Sequence, residues 1–108
     1  MVLLRTRIRV DPIHRAKVLR SLAMILGPLR ASAGCVNCNL YADIEDDNAL
    51  LFAQEWIDEE SLIDHLRAES ARVLLSALDC ATGPPEVRLD TLVDSEGIEF
   101  IAKCLDAD

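Results

Sequence analysis

Residues 54–66, QEWIDEESLIDHL, form the junction between a strand and a helix, and this junction decides the fold. They continue an apolar run that begins at residue 50, LLFAQEWI, which is typical of a strand. Asp58 then predicts a helix start, because its carboxylate can cap the first turn and the two acids after it favour the positive helix end. The junction contains the chain's only tryptophan, Trp56, and one of its two histidines, His65.

The register of this strand stays open at the level of sequence. Side chains on a strand alternate between two faces, so Glu55 points away from both Gln54 and Trp56. Either Glu55 or the pair of Gln54 and Trp56 takes the polar face. The pattern of apolar residues does not decide between these two registers.

Three further segments alternate apolar and polar side chains, as half-buried strands do. They are residues 2–10, 35–44 and 86–93. A first helix is predicted from Pro12, behind a capping Asp11, to Gly27-Pro28, where proline breaks the ladder of helical hydrogen bonds.

A second helical region follows Asp58, with apolar residues recurring to Leu78 and an expected break near Glu69-Ser70. The order is therefore strand, helix, strand, strand, helix, strand. It predicts an α+β fold of the ferredoxin-like βαββαβ type with a four-stranded antiparallel sheet. Residues 1–94 are expected to form this domain. The tail, residues 95–108, has apolar residues at helical spacing, as in a short helix that packs on the body or on a partner.

The two helical regions can cover only one face of the sheet. The other face carries polar and charged side chains, and a small domain either leaves such a face in water or buries it against a second copy of itself. We expect the second arrangement, a homodimer, with arginines and acids pairing across the contact. The residues expected to pair are Arg5, Arg7, Arg9 and Arg88 with Asp43, Glu86 and Asp90.

Composition and charge exclude several classes of function. The net charge of −8 argues against nucleic acid as a partner, because its phosphates would be repelled. No apolar run approaches the roughly 20 residues that a membrane span needs, so no membrane partner is expected. The opening MVLLRTRIRV interleaves arginine with aliphatic residues, which does not fit a secretion signal. A cytoplasmic location is expected.

Cys35 and Cys38 form a C-x-x-C motif, but neither a redox nor a metal role is expected for it. Residues three apart on a strand point to opposite faces, whereas zinc and thioredoxin-type sites need a loop or a helix start. Together with Cys80 and Cys104, they are expected to be reduced structural thiols. No metal site is expected.

A longer stretch, GCVNCNLYADIEDDNALLFAQEWIDEESLIDHL (residues 34–66), resembles the antibiotic biosynthesis monooxygenase (ABM) family, of the quinol monooxygenase type. The features that carry the resemblance are Gly34-Cys35, Leu40-Tyr41, the acidic turn with Asn48, Glu55-Trp56, His65-Leu66 and the downstream RVLLSAL. They extend over residues 2 to about 93. The resemblance implies a dimeric α/β barrel in which the sheets of two ferredoxin-like subunits face each other. It also implies oxidation of quinols or polycyclic phenols with O2 and with no cofactor: no metal, haem or flavin.

One branch of this family degrades haem, and this chain departs from its pattern. That branch uses an asparagine on the first strand, a tryptophan at the position of His65, and a histidine ten residues further on as the iron ligand. Here the first strand offers Thr6 among arginines, and the iron position is Leu75. Haem degradation is therefore not expected.

The family's chemistry points to His65 as the catalytic residue. Oxidising a phenol without a cofactor needs a base for the hydroxyl proton and a site that keeps water out, since the phenolate gives an electron to O2 far more readily than the phenol does. A histidine has an ordinary pKa of about 6.5, which suits that role near neutrality. The alternative is a structural histidine that hydrogen-bonds the strand backbone at the junction.

Five further residues are candidates for substrate binding, each with a structural alternative. Trp56 is either a wall for a flat aromatic substrate or an ordinary core residue. Asn37, Asn39 and Tyr41 share one strand face, where they either bind substrate oxygens or make dimer contacts. Arg7 either stabilises a phenolate or pairs with an acid.

Two functions are consistent with these residues. The first is cofactor-independent oxidation of a small quinol or phenol with O2, in a pocket between helices and sheet. The second is a dimeric barrel without catalysis that binds a small aromatic ligand, because a fold does not fix a function.

Overall fold

Residues 1–106 are described by a computed structural model, and within them four strands form one antiparallel sheet. The strands are β1 (Val2–Arg9), β2 (Cys35–Ala42), β3 (Ala49–Trp56) and β4 (Glu86–Thr91), in the spatial order β2-β3-β1-β4. The helices in the same residues are α1 (Pro12–Arg30), α2 (Glu59–Arg67), α3 (Arg72–Asp79) and α4 (Ile98–Asp106). A short 3-10 helix, Glu69–Ala71, separates α2 from α3. The predicted α+β ferredoxin-like fold and the break near Glu69-Ser70 are confirmed.

β3 decides which side chains enter the core, because it lies between β1 and β2. Gln54 and Trp56 are 0% and 1% exposed on the face that the helices cover. Glu55 therefore takes the opposite face, which settles the register that the sequence left open. Burying the large indole of Trp56 stabilises the fold by more than the burial of one amide costs.

The sheet has a helix face and an open face. The helix face packs on α1, α2 and α3. The core includes Val2, Leu4, Ile8, Val18, Leu22, Leu29, Leu50, Phe52, Trp56, Leu62, Leu74 and Ala77. The open face carries Leu3, Arg5, Arg7, Arg9, Asn37, Asn39, Tyr41, Leu51, Ala53, Glu55, Glu86, Arg88 and Asp90.

The first helix does not end at Gly27-Pro28 as predicted. It continues through Pro28 to Arg30, where the buried Leu29 anchors its last turn in the core. Pro28 removes the hydrogen bond that its N–H would have donated to the carbonyl of Met24, and the burial of Leu29 offsets that loss. The added turn brings Arg30 over β2, where its Nε donates to the carbonyl of Cys38 at 2.9 Å. At the other end Asp11 starts the helix without a side-chain cap, so that part of the prediction is wrong.

The prediction that Cys35 and Cys38 face opposite sides of the sheet is also wrong. An irregularity between Cys35 and Asn37 shifts the pairing of β2 with β3. Cys35 pairs with Trp56 and Cys38 with Gln54, so both thiols lie on the helix face. The extra residue, Val36, is half exposed. A bulge adds one residue to one strand, and simple alternation cannot reveal it.

The charged residues of the open face pair within the chain, which corrects the expectation that they pair across a dimer contact. Arg5 contacts Asp90 at 2.7 Å, and Arg7 contacts Asp43 at 3.2 Å and Glu86 at 3.9 Å. The remaining pairs are Arg9 with Asp46 at 2.7 Å and Arg88 with Asp90 at 3.1 Å. The strand register brings these groups together, so no second chain is needed to neutralise them.

The tail forms a helix whose apolar side chains are exposed. On α4, Ile98 and Leu105 are both 80% exposed, and Phe100 is about half exposed. Val87 and Leu89 on β4 are also about half exposed, although their strand neighbours on β1 are buried. The radius of gyration is 15.8 Å, against about 13 Å for a compact chain of this length. The described residues thus leave apolar surface along β4 and α4.

Gly34 is required where β2 meets α2, and replacing it tests this junction. Its φ is +84°, and an added Cβ would lie 2.6 Å from the Cβ of Ser61 and closer still to its Oγ. We expect Gly34→Ala to lower the free energy of unfolding by about 2–4 kcal/mol, through backbone strain and overpacking together. The matched control is Gly83→Ala, where φ is +130° and nothing lies within 4 Å of the added atom.

Gly83→Ala should cost only the strain, about 1–2 kcal/mol. Urea unfolding of both variants and the parent measures the two costs. If both variants lose the same free energy of unfolding, α2 is not held tightly against Gly34.

Candidate functional site

Trp56 and His65 come together although they are nine positions apart in the chain. Trp56 ends β3, and His65 lies near the end of α2, 8% exposed. The backbone N–H of Ser61 donates to the carboxylate of Asp58 at 2.8 Å, which fixes where α2 starts. The helix then carries His65 back over the strand, and its ring stacks on the indole with the centroids 5.0 Å apart and the planes 23° from parallel.

Gln54 is the third member of this cluster, and the sequence reasoning missed it as a site residue. The indole Nε1 of Trp56 donates to its Oε1 at 3.1 Å. Its Nε2 is buried and has no hydrogen-bond partner among the residues that the structure describes. The available signal was two-residue spacing, because residues 54 and 56 of one strand must share a face.

Burial lowers the pKa of His65 below its ordinary value. The cause is desolvation, since taking the imidazolium out of water penalises the charged form. His65 is therefore neutral at neutral pH, with one ring nitrogen able to accept a proton. A neutral imidazole in a dry site is the protonation state that a general base needs.

The four other predicted binding residues lie on the open face, away from His65 and Trp56. The Nδ2 of Asn39 donates to the Oδ1 of Asn37 at 2.9 Å, and Arg30 donates to Asn39 at 3.3 Å. Tyr41 is about half exposed, and Arg7 pairs with acids as described above. The structure thus divides the predicted set into a pair on the helix face and a group of four on the open face.

Two open-face cavities lie beside this group. One, of about 610 Å³, includes Arg5, Arg7, Leu51 and Arg88 in its lining. The other, of about 200 Å³, includes Arg7, Tyr41 and Leu51. A third cavity, of about 320 Å³, lies between α1 and α3 and is lined by Lys17, Ser21, Val73 and Cys80 among others. Trp56 and His65 line none of these three.

The thiols next to the cluster are not activated. Burial raises the pKa of Cys38 to about 11, and it also raises that of Cys35. Both are therefore protonated at neutral pH and are poor nucleophiles. Across residues 1–106, no three histidine, cysteine or acidic side chains are grouped so that they could hold a metal ion. In the same span, every helix is too short or too polar to cross a membrane.

Comparisons with known proteins agree with this fold. The family model described as antibiotic biosynthesis monooxygenase matches residues 1–74. A structure from Deinococcus radiodurans, named as a candidate antibiotic biosynthesis monooxygenase, superposes with a TM-score of 0.82 and 17% identity over 91% of this chain and 98% of that one. A Mycobacterium tuberculosis protein superposes with a TM-score of 0.80 and 20% identity, over 89% of this chain and 98% of that one. A Pseudomonas aeruginosa protein superposes with a TM-score of 0.75 and 22% identity, over 86% of this chain and 94% of that one. No curated protein matches the sequence significantly.

The burial of His65 predicts a loss of stability in mild acid. In the unfolded chain His65 takes up a proton below about pH 6.5, whereas in the folded chain its pKa is lower. Below pH 6.5 the unfolded state therefore binds more protons, and the free energy of unfolding falls with pH by up to about 1.4 kcal/mol per unit. This loss stops once the pH is below the folded pKa.

His65→Phe keeps an aromatic ring on Trp56 but cannot be protonated, so it should lack this slope between pH 6.5 and 5. His14→Gln, at an exposed position, is the matched control and should keep it. Urea unfolding at several pH values measures the slope. The carboxylates with lowered pKa, Asp43, Asp46, Asp58, Asp90 and Glu99, add their own losses only below about pH 4.5. An identical slope in parent and His65→Phe would contradict the burial of a neutral His65.

Proposed function

Because the chain belongs to the antibiotic biosynthesis monooxygenase family, we propose that it oxidises a small quinol or phenol with O2, without a metal, haem or flavin. The observation that carries this proposal is the neutral, buried His65 stacked on Trp56. The pair supplies a base and an aromatic surface in one dry place. Trp56 is 1% exposed, so a flat aromatic substrate can stack on the indole, with its hydroxyl against the base, only after the residues that cover the pair move aside.

His65 acts as the general base of the reaction. It takes the hydroxyl proton of the substrate, which leaves a phenolate and an imidazolium in contact. The phenolate transfers electrons to O2, and one oxygen atom bonds to the ring carbon. The other oxygen takes two protons, the one held by His65 and the one lost from that ring carbon, and leaves as water. For a simple phenol the balance is one phenol and one O2 to one quinone and one water, with every electron supplied by the substrate.

The low exposure of the cluster protects the reactive intermediates from water. Trp56 positions the ring of the substrate in this proposal. Asn37, Asn39, Tyr41 and Arg7 lie on the opposite face of the sheet, so a direct contact with the same substrate would need it to reach around or through the sheet. Their roles in substrate binding stay predictions. In this proposal the four side chains lie in the dimer contact instead.

The protein is a homodimer in this proposal, with the open faces of two sheets meeting as an α/β barrel. Ion pairs within each chain neutralise the arginines of the open face and leave Leu51 and Ala53 half buried between them. Closing two such faces together removes apolar surface while these arginines stay paired, and among residues 1–106 Glu55 is an open-face charge without an ion pair. The exposed apolar side chains of β4 and α4 add a second surface that a partner chain can cover.

Haem degradation is not part of the proposal. Leu75, at the position of the iron ligand in the haem-degrading branch, has no ligating atom and is half exposed on α3. Thr6, on the first strand, is buried among the core residues. The residues that would hold and attack a haem group are therefore replaced by apolar or inaccessible ones.

The catalytic proposal predicts that the protein consumes O2 with at least one member of a panel of naphthoquinols, anthrols and simple phenols. Loss of the base in His65→Ala should lower kcat/KM by about 100-fold or more. His14→Ala, which changes the exposed histidine, should leave it unchanged. An oxygen electrode measures all three proteins. Melting temperatures that rise with these ligands, without O2 uptake by any of them, would favour the binding protein instead.

The dimer predicts a sedimentation mass of two chains at micromolar concentration. Leu51→Glu places a charge in the centre of the open face and should give monomers that keep their helix content. Ile44→Glu makes the same kind of change at a turn residue that is 96% exposed, and it should remain dimeric. A monomeric parent contradicts the dimer, and a dimeric Leu51→Glu contradicts the contact through the open faces.

A further inference from the structure

The side chain of Gln54 has a donor group that finds no partner within residues 1–106. Gln54 is 0% exposed, and an amide offers one acceptor oxygen and two N–H donors. The oxygen is used by Trp56, while the nitrogen has no partner among the described residues. A buried donor left unpaired costs free energy, because it has lost its water without gaining a replacement.

The orientation of this amide is fixed by Trp56. The indole N–H can only donate, so it requires the oxygen of Gln54 and excludes the nitrogen from that position. Rotating the amide by half a turn would set two donors against each other. The two N–H groups must therefore point elsewhere.

The neighbours of Gln54 across the sheet do not accept these N–H groups. Leu4 pairs with it on β1 and Cys38 pairs with it on β2, one without polar atoms and the other a protonated thiol. Along the strand, Phe52 and Trp56 lie two residues away on the same face. The amide thus lies in an apolar frame, where a hydrogen bond to a charged oxygen is strong.

We infer that Gln54 is a substrate-binding residue, whose N–H groups hold the oxygen of the phenol and stabilise the phenolate after His65 has taken its proton. This inference rests on the proposed function. His65 and Gln54 both contact Trp56, one by stacking and the other through the indole N–H. The cluster then presents a proton acceptor and a proton donor beside one aromatic surface. An aromatic hydroxyl matches both, and a hydrocarbon ring matches neither.

Gln54 lines none of the cavities described above, so in this inference a substrate reaches it when α2 moves aside, and the helix then closes again to return His65 to the bound ring. This helix covers the cluster through His65 and Leu62, which is 2% exposed. It is only nine residues long, and the 3-10 helix Glu69–Ala71 separates it from α3. Its displacement would open the cluster without breaking a strand pairing.

The test uses one ligand pair and two intrinsic probes, under anaerobic conditions so that no turnover is needed. 4-Nitrophenol ionises near neutral pH to a coloured phenolate, and nitrobenzene has the same ring and nitro group without the hydroxyl. Trp56 is the only tryptophan, so its fluorescence reports binding at the cluster. Gln54 is the only glutamine, so selective ¹⁵N labelling of glutamine gives a single side-chain amide signal pair.

In the parent, 4-nitrophenolate should bind about tenfold or more tightly than nitrobenzene and should move the amide protons downfield. Gln54→Met keeps the length of the side chain and removes the donors, so its preference for the phenolate should disappear. Glu55→Met, on the open face of the same strand, is the matched control and should keep the preference. If Gln54→Met does not fold, the amide signals of the parent decide alone.

Two results overturn the inference. One is binding at Trp56 that leaves the amide signals unmoved, which would mean that a water or a protein group already satisfies the amide. The other is an absence of binding by 4-nitrophenol at any accessible concentration. The proposed function fails separately: phenolate binding with a moved amide but no O2 uptake supports Gln54 as the donor and contradicts the monooxygenase. O2 uptake with unmoved amide signals supports the monooxygenase and contradicts Gln54 as the donor.

Discussion

The fold depends on the burial of Trp56 at the end of β3. β3 is a central strand, so the face on which the indole lies also fixes the faces of β1 and β2 through their pairing. A one-residue slip would expose the indole and bring the charge of Glu55 into the core, and both changes are costly. The same burial draws Gln54 inside and gives α2 an aromatic surface to pack on. The candidate site is thus a direct result of the constraint that sets the sheet register.

Alternation and capping signals were enough to predict the order of elements, and Asp58 does cap α2 through the N–H of Ser61. Two of the missed features depend on contacts between segments distant in sequence. Pro28 stays helical because Leu29 is buried against the core, and the bulge at Val36 becomes visible only once β2 is paired with β3. The sequence also brought Trp56 and His65 forward as a pair. It could not show that Asn37, Asn39 and Tyr41 lie across the sheet from them, since that depends on the register of β3.

The two faces of the sheet separate charge from the candidate chemistry. Arg5, Arg7 and Arg9 find acids on the open face, and hydrogen bonds with these arginines help to lower the pKa values of Asp43, Asp46 and Asp90. The helix face carries no charged residue next to Gln54, Trp56 and His65 on the paired strands. In such surroundings, a phenolate and an imidazolium created by proton transfer would be each other's nearest opposite charges. Their mutual attraction would be weakly screened, which favours the ionised pair over its separated parts.

The amide nitrogen of Gln54 has no partner in the part of the chain that the structure describes, and this lowers the stability of the fold. An apolar side chain of similar length would fill the same space without stranding a donor, at a gain of about 1–3 kcal/mol offset by the loss of an acceptor for Trp56. A fold of this size has only about 5–15 kcal/mol of total stability, so such a cost is substantial. A ligand oxygen that satisfies the amide recovers this cost on binding, and the recovered free energy favours the oxygen-bearing ligand over a hydrocarbon. The defect in the folded chain and the selectivity of the site are then two consequences of one hydrogen-bond donor.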